Sequence, residues 1–180
     1  MTPEEKRAQQ EFLAAKRAEL FGAYPEVDRF MRQKSRALRF LLLYVLILNI
    51  AKALVIGASP VVLVIGVLMG TGIQAIFLAA GMGTKWRIAL ILYFLALYQL
   101  GSLAATLVNA GVTSWEAFCW AYIDGFSQYP AAILIDLFSV LYALLVLGAA
   151  IWLTVPAKSR RLAEQSDTLM QQWKAEAGIR

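Results

Sequence analysis

The sequence predicts an all-α, polytopic membrane protein: four transmembrane helices with cytoplasmic amphipathic helices at both ends. Three observations carry this. The chain of 180 residues is 60% apolar and only 16% charged, with a mean hydropathy of +0.62, whereas soluble domains carry about 25% charged residues. Its apolar residues gather in four runs, each near the ~20 residues that a helix needs to cross a bilayer core. Lysine and arginine alternate between successive loops, as they do when alternate loops face the cytoplasm.

The first 40 residues form a cytoplasmic arm. Thr2-Pro3-Glu4-Glu5 reads as a helix start: a cap residue, a proline at the first helical position, then acids at the positive end of the dipole. That helix is expected to run to about Gly22, and Tyr24-Pro25-Glu26 starts another. Val27, Phe30, Met31 and Leu38 fall on one stripe of the second helix. Arg29, Arg32, Lys34, Arg36 and Arg39 crowd the approach to the membrane. They enforce topology, and they are the residues expected to contact anionic lipid head groups. Forty mostly polar residues precede the first apolar run, which is not the pattern of a cleaved signal peptide.

The membrane domain covers residues 41–155, with spans at about 41–57, 61–80, 88–108 and 131–155. The runs are continuously apolar rather than alternating, so helix is the conformation that pairs every backbone group within the segment. Nine lysines and arginines precede the first span. Lys85 and Arg87 lie between spans two and three, and Lys158, Arg160, Arg161, Lys174 and Arg180 follow span four. The links at 58–60 and 109–130 have none. Both termini and the 81–87 link are therefore expected in the cytoplasm of a plasma membrane, with a bacterial inner membrane as the expected setting.

The 109–130 link is expected to lie at the outer interface. Thr113-Ser114-Trp115-Glu116 fits a capping box with Thr113 as cap, opening a helix to about Asp124. Trp115, Phe118, Tyr122 and Phe126 share one face of it, with Trp120 nearby. Trp115, Phe118, Trp120 and Tyr122 read as interfacial aromatics, rings dry and polar edges wet. After residue 156 the C-terminal segment, 156–180, again reads as a helix. Leu162, Leu169, Met170 and Trp173 make an apolar stripe that must cover the N-terminal helices, a neighbouring subunit or the bilayer surface.

Polar residues inside the spans mark the candidate site. Lys52 and Asp136 lie about five or six residues from the outer ends of spans one and four, roughly 8–9 Å deep at 1.5 Å per residue. Buried membrane charges usually face the bundle interior or water and pair with one another, so a Lys52–Asp136 ion pair is expected. Asn49 shares the face of Lys52, and Ser139 that of Asp136. Gln99, Ser102 and Thr106 form a stripe on span three. Together these seven residues are read as an intramembrane polar cluster, either a structural lock or a ligand or ion site. Gly66 and Gly70 form a GxxxG, the spacing that lets helix backbones approach closely.

Several function classes are excluded. With no histidine and one cysteine, Cys119, the chain lacks the residues of His-based catalysis, of nearly all catalytic zinc sites, and of intrachain disulfides. No phosphate-binding loop is present. No cofactor or metal is expected, and the basic excess lies beside spans, where its partner is lipid and not nucleic acid. Asp136, Asp124, Glu116 and Ser127 are the outward candidates for lipid chemistry, but they form no recognisable acid–base or nucleophile set. An enzyme is therefore not expected. The expected function is an integral membrane subunit of a homo-oligomer or larger complex, acting in transport or permeation of an ion or small solute. The alternative is a non-catalytic scaffold that holds a partner at the membrane through its cytoplasmic helices.

Overall fold

A computed structural model of the protein describes residues 3–57, 59–83 and 85–176. Among the described residues every regular element is helical. These are α1 (Pro3–Gly22), α2 (Pro25–Val55), α3 (Pro60–Gly81), a 3-10 turn (Trp86–Leu90) that runs into α4 (Ile91–Asn109), α5 (Trp115–Gln128), α6 (Pro130–Thr154) and α7 (Ala157–Glu176). Helices α2, α3, α4 with its leading turn, and α6 are long and apolar enough to cross a membrane. The Thr2 cap and Arg180 lie outside the described residues.

Proline stands at the start of four helices, α1 at Pro3 among them. Pro25, Pro60 and Pro130 open α2, α3 and α6, where a missing N–H costs nothing and the fixed φ suits a helix. Glycine follows the ends of two helices: Gly57 (φ 68°) comes after α2 and Gly111 (φ 83°) after α4, in the left-handed region that side chains resist. No glycine or proline interrupts residues 26–55. The second arm helix and the first span therefore fuse into one helix of 31 residues, about 46 Å long. The change at residue 40 is one of surface chemistry, with no break in the backbone.

The four long helices form an up-and-down bundle. Helix α2 packs on α3, α3 on α4, α4 on α6, and α6 back on α2. The α3–α4 edge is the looser one, because α3 leans mainly on α2. Val45, Leu78, Leu92, Tyr142 and Val146 fill the centre and are at most 1% exposed. Outside, Val61, Ile65, Leu68, Ile76, Phe94 and Leu97 are each more than half exposed. The total accessible surface is 11923 Å², against about 8,700 Å² for a compact soluble monomer of this mass. Much of the excess is apolar, a surface suited to lipid and costly in water.

One end of the bundle carries the arms. Helix α7 turns its stripe onto α1 and α2, where Leu169 packs with Phe21 and Val27 and is flanked by Leu162, Met170 and Met31. Trp173 Nε1 donates to the Leu13 carbonyl at 3.2 Å, and Arg17 lies over both Trp173 and Phe21. Of the three covers that the stripe allowed, the chain supplies its own.

Two expectations are corrected here. Lys34 does not belong with the lipid-facing cations: it is buried, and its ammonium donates to the Gly83 carbonyl in the α3–α4 link. It lies on the same helical stripe as Val27 and Phe30, which packs inward. Arg29, Arg32, Arg36 and Arg39 stay exposed. The cap of α5 is Ser114, not Thr113; its hydroxyl accepts from Ala117 N at 3.1 Å, and the helix continues to Gln128. The two glycines of the GxxxG also part company. A side chain at Gly70 would meet Asn49 at 3.4 Å, whereas one at Gly66 would meet nothing within 4 Å. Of these two, it is Gly70 that serves a close approach within the chain.

Candidate functional site

The candidate site lies at the end of the bundle opposite the arms, between α2, α4 and α6. Lys52 is in the last turn of α2, whose negative dipole end suits a cation. Asp136 is the seventh residue of α6. Gln99, Ser102 and Thr106 rise along one stripe of α4, because spacings of three and four residues return to the same face.

These side chains converge on a cavity of about 290 Å³. Helix α2 contributes Lys52, Val55 and Ile56; α4 contributes Gln99, Ser102, Leu103 and Thr106; α6 contributes Ala132, Ile135, Asp136 and Ser139. Six of the seven residues of the intramembrane polar cluster thus face one space. The seventh, Asn49, is turned away: its amide donates to Thr71 Oγ1 on α3 at 3.0 Å. Shared face on α2 did not distinguish Asn49 from Lys52. The rotation of α2 between α3 and α6 did.

The cavity is blind. One turn towards the arm end, each lining helix presents a buried residue: Leu48 on α2, Ala96 on α4 and Tyr142 on α6. Ser139 sits just above Tyr142, itself buried, and donates to the Ile135 carbonyl at 2.8 Å. Thr106 donates likewise to the Ser102 carbonyl at 2.9 Å. Both hydroxyl protons are thus spent within their own helices, and the oxygens remain as acceptors.

The two charges do not form the expected ion pair. Lys52 and Asp136 interact electrostatically across the cavity. They make no salt bridge with each other, whereas pairs such as Lys16–Glu176, Arg32–Asp28 and Lys158–Glu26 form outside this cavity. The physical reason is geometric. Lys52 and Asp136 stand on α2 and α6 at matched depth, but the cavity that both line lies between the charged groups.

Helix α5 flanks the mouth. It packs on α6, and a side chain at Gly125 would stand 3.0 Å from Ile133 Cδ1, so the two helices approach closely there. Trp115 stacks on Phe118 with centroids 5.4 Å apart, and Phe118 meets Tyr122 at 4.5 Å. Trp115 and Trp120 are largely exposed. Burial raises the Tyr122 phenol above its ordinary range, and the neighbouring Asp136 carboxylate adds to this. Tyr122 is therefore a cavity neighbour that its place in the aromatic row did not announce. Cys119 is free and partly buried.

At the arm end, Trp86 is a second point that the sequence did not single out. Its Nε1 donates to Glu164 at 3.1 Å, and Arg87 and Arg160 lie over its ring. With Lys34, it clamps the α3–α4 link between α2 and α7. Among the described residues no group of three or more histidines, cysteines or carboxylates is placed to hold a metal. Compared with protein-family models, with characterised proteins and with solved structures, the chain has no match.

Proposed function

We propose that the protein is an integral plasma-membrane subunit, with both termini cytoplasmic, that binds a small polar solute and takes part in its passage across the membrane. The observation that carries this reading is the blind cavity, which an ammonium and a carboxylate both line without forming a salt bridge. A purely structural pair would be expected in contact, because charges separated within a membrane cost several kcal/mol. With lysine and arginine concentrated on the arm side, the positive-inside tendency directs the cavity mouth outward. Buried side chains close the bundle below it, so passage requires helix movement, a second copy or a partner. This is why the chain is read as one subunit of an oligomer or larger complex. The exposed Arg29, Arg32, Arg36 and Arg39 then meet anionic lipid on the cytoplasmic face.

Access is tested by cysteine labelling in a Cys119→Ser background. Ser102→Cys and Thr106→Cys should react with a membrane-impermeant maleimide added outside intact cells. Protection from outside, with labelling only after the cytoplasmic face is exposed, would sink the orientation and the site together. Lys52→Ala and Asp136→Ala should reduce flux in proteoliposomes while the folded yield is kept. Loss of folded protein in both would make the two charges structural.

The scaffold alternative draws on the amphipathic arms. Their apolar stripes cover one another within the chain, which leaves mainly charged faces for any partner. Deleting residues 1–24 discriminates: assembly that survives the deletion counts against a scaffold built on the N-terminal arm.

A further inference from the structure

Resting on the reading of the cavity as a solute site, we propose that its ligand is a zwitterion: a small molecule or head group with one protonated amine and one anionic oxyacid. The cavity presents both signs of charge, which attract each other across it but make no direct salt bridge. A simple cation drawn to Asp136 would be repelled by Lys52, and a simple anion would meet the reverse. A neutral solute would leave each charge with only its distant partner across the cavity. A zwitterion completes both at once, its amine at Asp136 and its oxyacid at Lys52.

The rest of the lining fits that occupant. The hydroxyl protons of Thr106 and Ser139 are already used on backbone carbonyls, so these oxygens accept and suit an ammonium better than an oxyacid. Ser139 lies one helical turn from Asp136, on the same helix and cavity wall. Leu103 and Ile135 supply an apolar wall for a short carbon spacer. A volume of about 290 Å³ equals roughly ten waters at ~30 Å³ each. That is room for a free amino acid or one phosphoethanolamine group.

The shared chemistry has two sources, a free aqueous zwitterion and the head group of an ethanolamine phospholipid. Purified protein in phosphatidylcholine nanodiscs would be titrated calorimetrically with glycine, β-alanine and γ-aminobutyrate. Butylamine and butyrate serve as single-charge controls. In parallel, native mass spectrometry would count phosphatidylethanolamine retained from mixed nanodiscs. At least one zwitterion should bind at least about tenfold more tightly than either control, since each charged hydrogen bond is worth about a decade or more. Lys52→Met and Asp136→Asn should each remove that preference. The double exchange Lys52→Asp with Asp136→Lys keeps both charges and should restore part of it.

Soluble zwitterion binding supports the inference together with the transport reading. Selective retention of phosphatidylethanolamine, lost in both single variants, supports the zwitterion site but turns the cavity into a lipid site and removes the solute. Butylamine or butyrate binding as tightly as the zwitterions overturns the inference and leaves the solute reading standing. No preference for any zwitterion, soluble or lipid, overturns it outright. The wild-type series decides this even if a variant fails to fold.

Discussion

Gly81 is the last residue of α3, at the point where the chain leaves the bundle for the α3–α4 link. A Cβ added there would lie 2.5 Å from both Cγ and Cδ2 of Leu92 and 2.9 Å from Ile91 Cγ2. Carbon contacts settle at about 3.5–4.0 Å, so Gly81→Ala creates an overlap of about 1 Å. Leu92 is fully buried in the central cluster, so it can yield only by displacing close-packed neighbours. Overpacking of this kind costs about 1–3 kcal/mol. The restricted unfolded chain returns about 0.4–1 kcal/mol, which leaves a net loss of about 0.5–2 kcal/mol. At about 2–4 °C per kcal/mol for a chain of this size, the melting temperature should fall by roughly 1–8 °C. Tryptophan fluorescence during thermal unfolding in detergent reads this directly. Leu92→Ala alone should cost about 2–5 kcal/mol. In the Gly81→Ala, Leu92→Ala double variant the added methyl enters the vacated space, so the two costs should be less than additive by at least about 0.5 kcal/mol. Strict additivity, or a single Gly81→Ala variant as stable as the parent, would refute the packing account of this corner.

Other predictions follow from the same geometry. Gly101→Ala, in mid-helix with nothing within 4 Å, should be neutral or raise stability by up to about 1 kcal/mol, in the same melt. Ser114→Ala should lose a cap worth about 0.5–2 kcal/mol and speed amide exchange in the first turn of α5, whereas Thr113→Ala should leave exchange there unchanged. Lys34→Met removes the charged hydrogen bond to the Gly83 carbonyl, worth about 1.5–3 kcal/mol. Exchange across residues 85–90 should accelerate by about ten- to a hundredfold, with little change in α5.

The bundle was legible because hydropathy and helix signals are local. Pro25, Pro60 and Pro130 start helices, and Gly57 ends one, for reasons that hold whatever packs nearby. The polar cluster was legible as a set of depths: residues on continuous helices of known rise must lie at calculable levels. What depth could not supply was rotation about each helix axis. Asn49 and Lys52 are three residues apart and share a broad face, yet one binds Thr71 on α3 and the other enters the cavity. Lys34 shows the same limit. Its charge placed it with the exposed arginines, while its register with Val27 and Phe30 pointed inward, and register prevailed because the Gly83 carbonyl was there to receive it.

By itself the sequence determined how many helices are long and apolar enough to span a membrane, where they begin, and which polar groups lie at one level. Those properties follow from side-chain transfer energies and from the 1.5 Å rise of a helix. Only the tertiary structure decided that Lys52 and Asp136 share a cavity without pairing, that α7 covers α1 and α2, and that Gly70 packs while Gly66 does not. Each of these depends on how far neighbouring helices splay and turn. That is set by the summed fit of many side chains across several interfaces, and no single segment of sequence contains it.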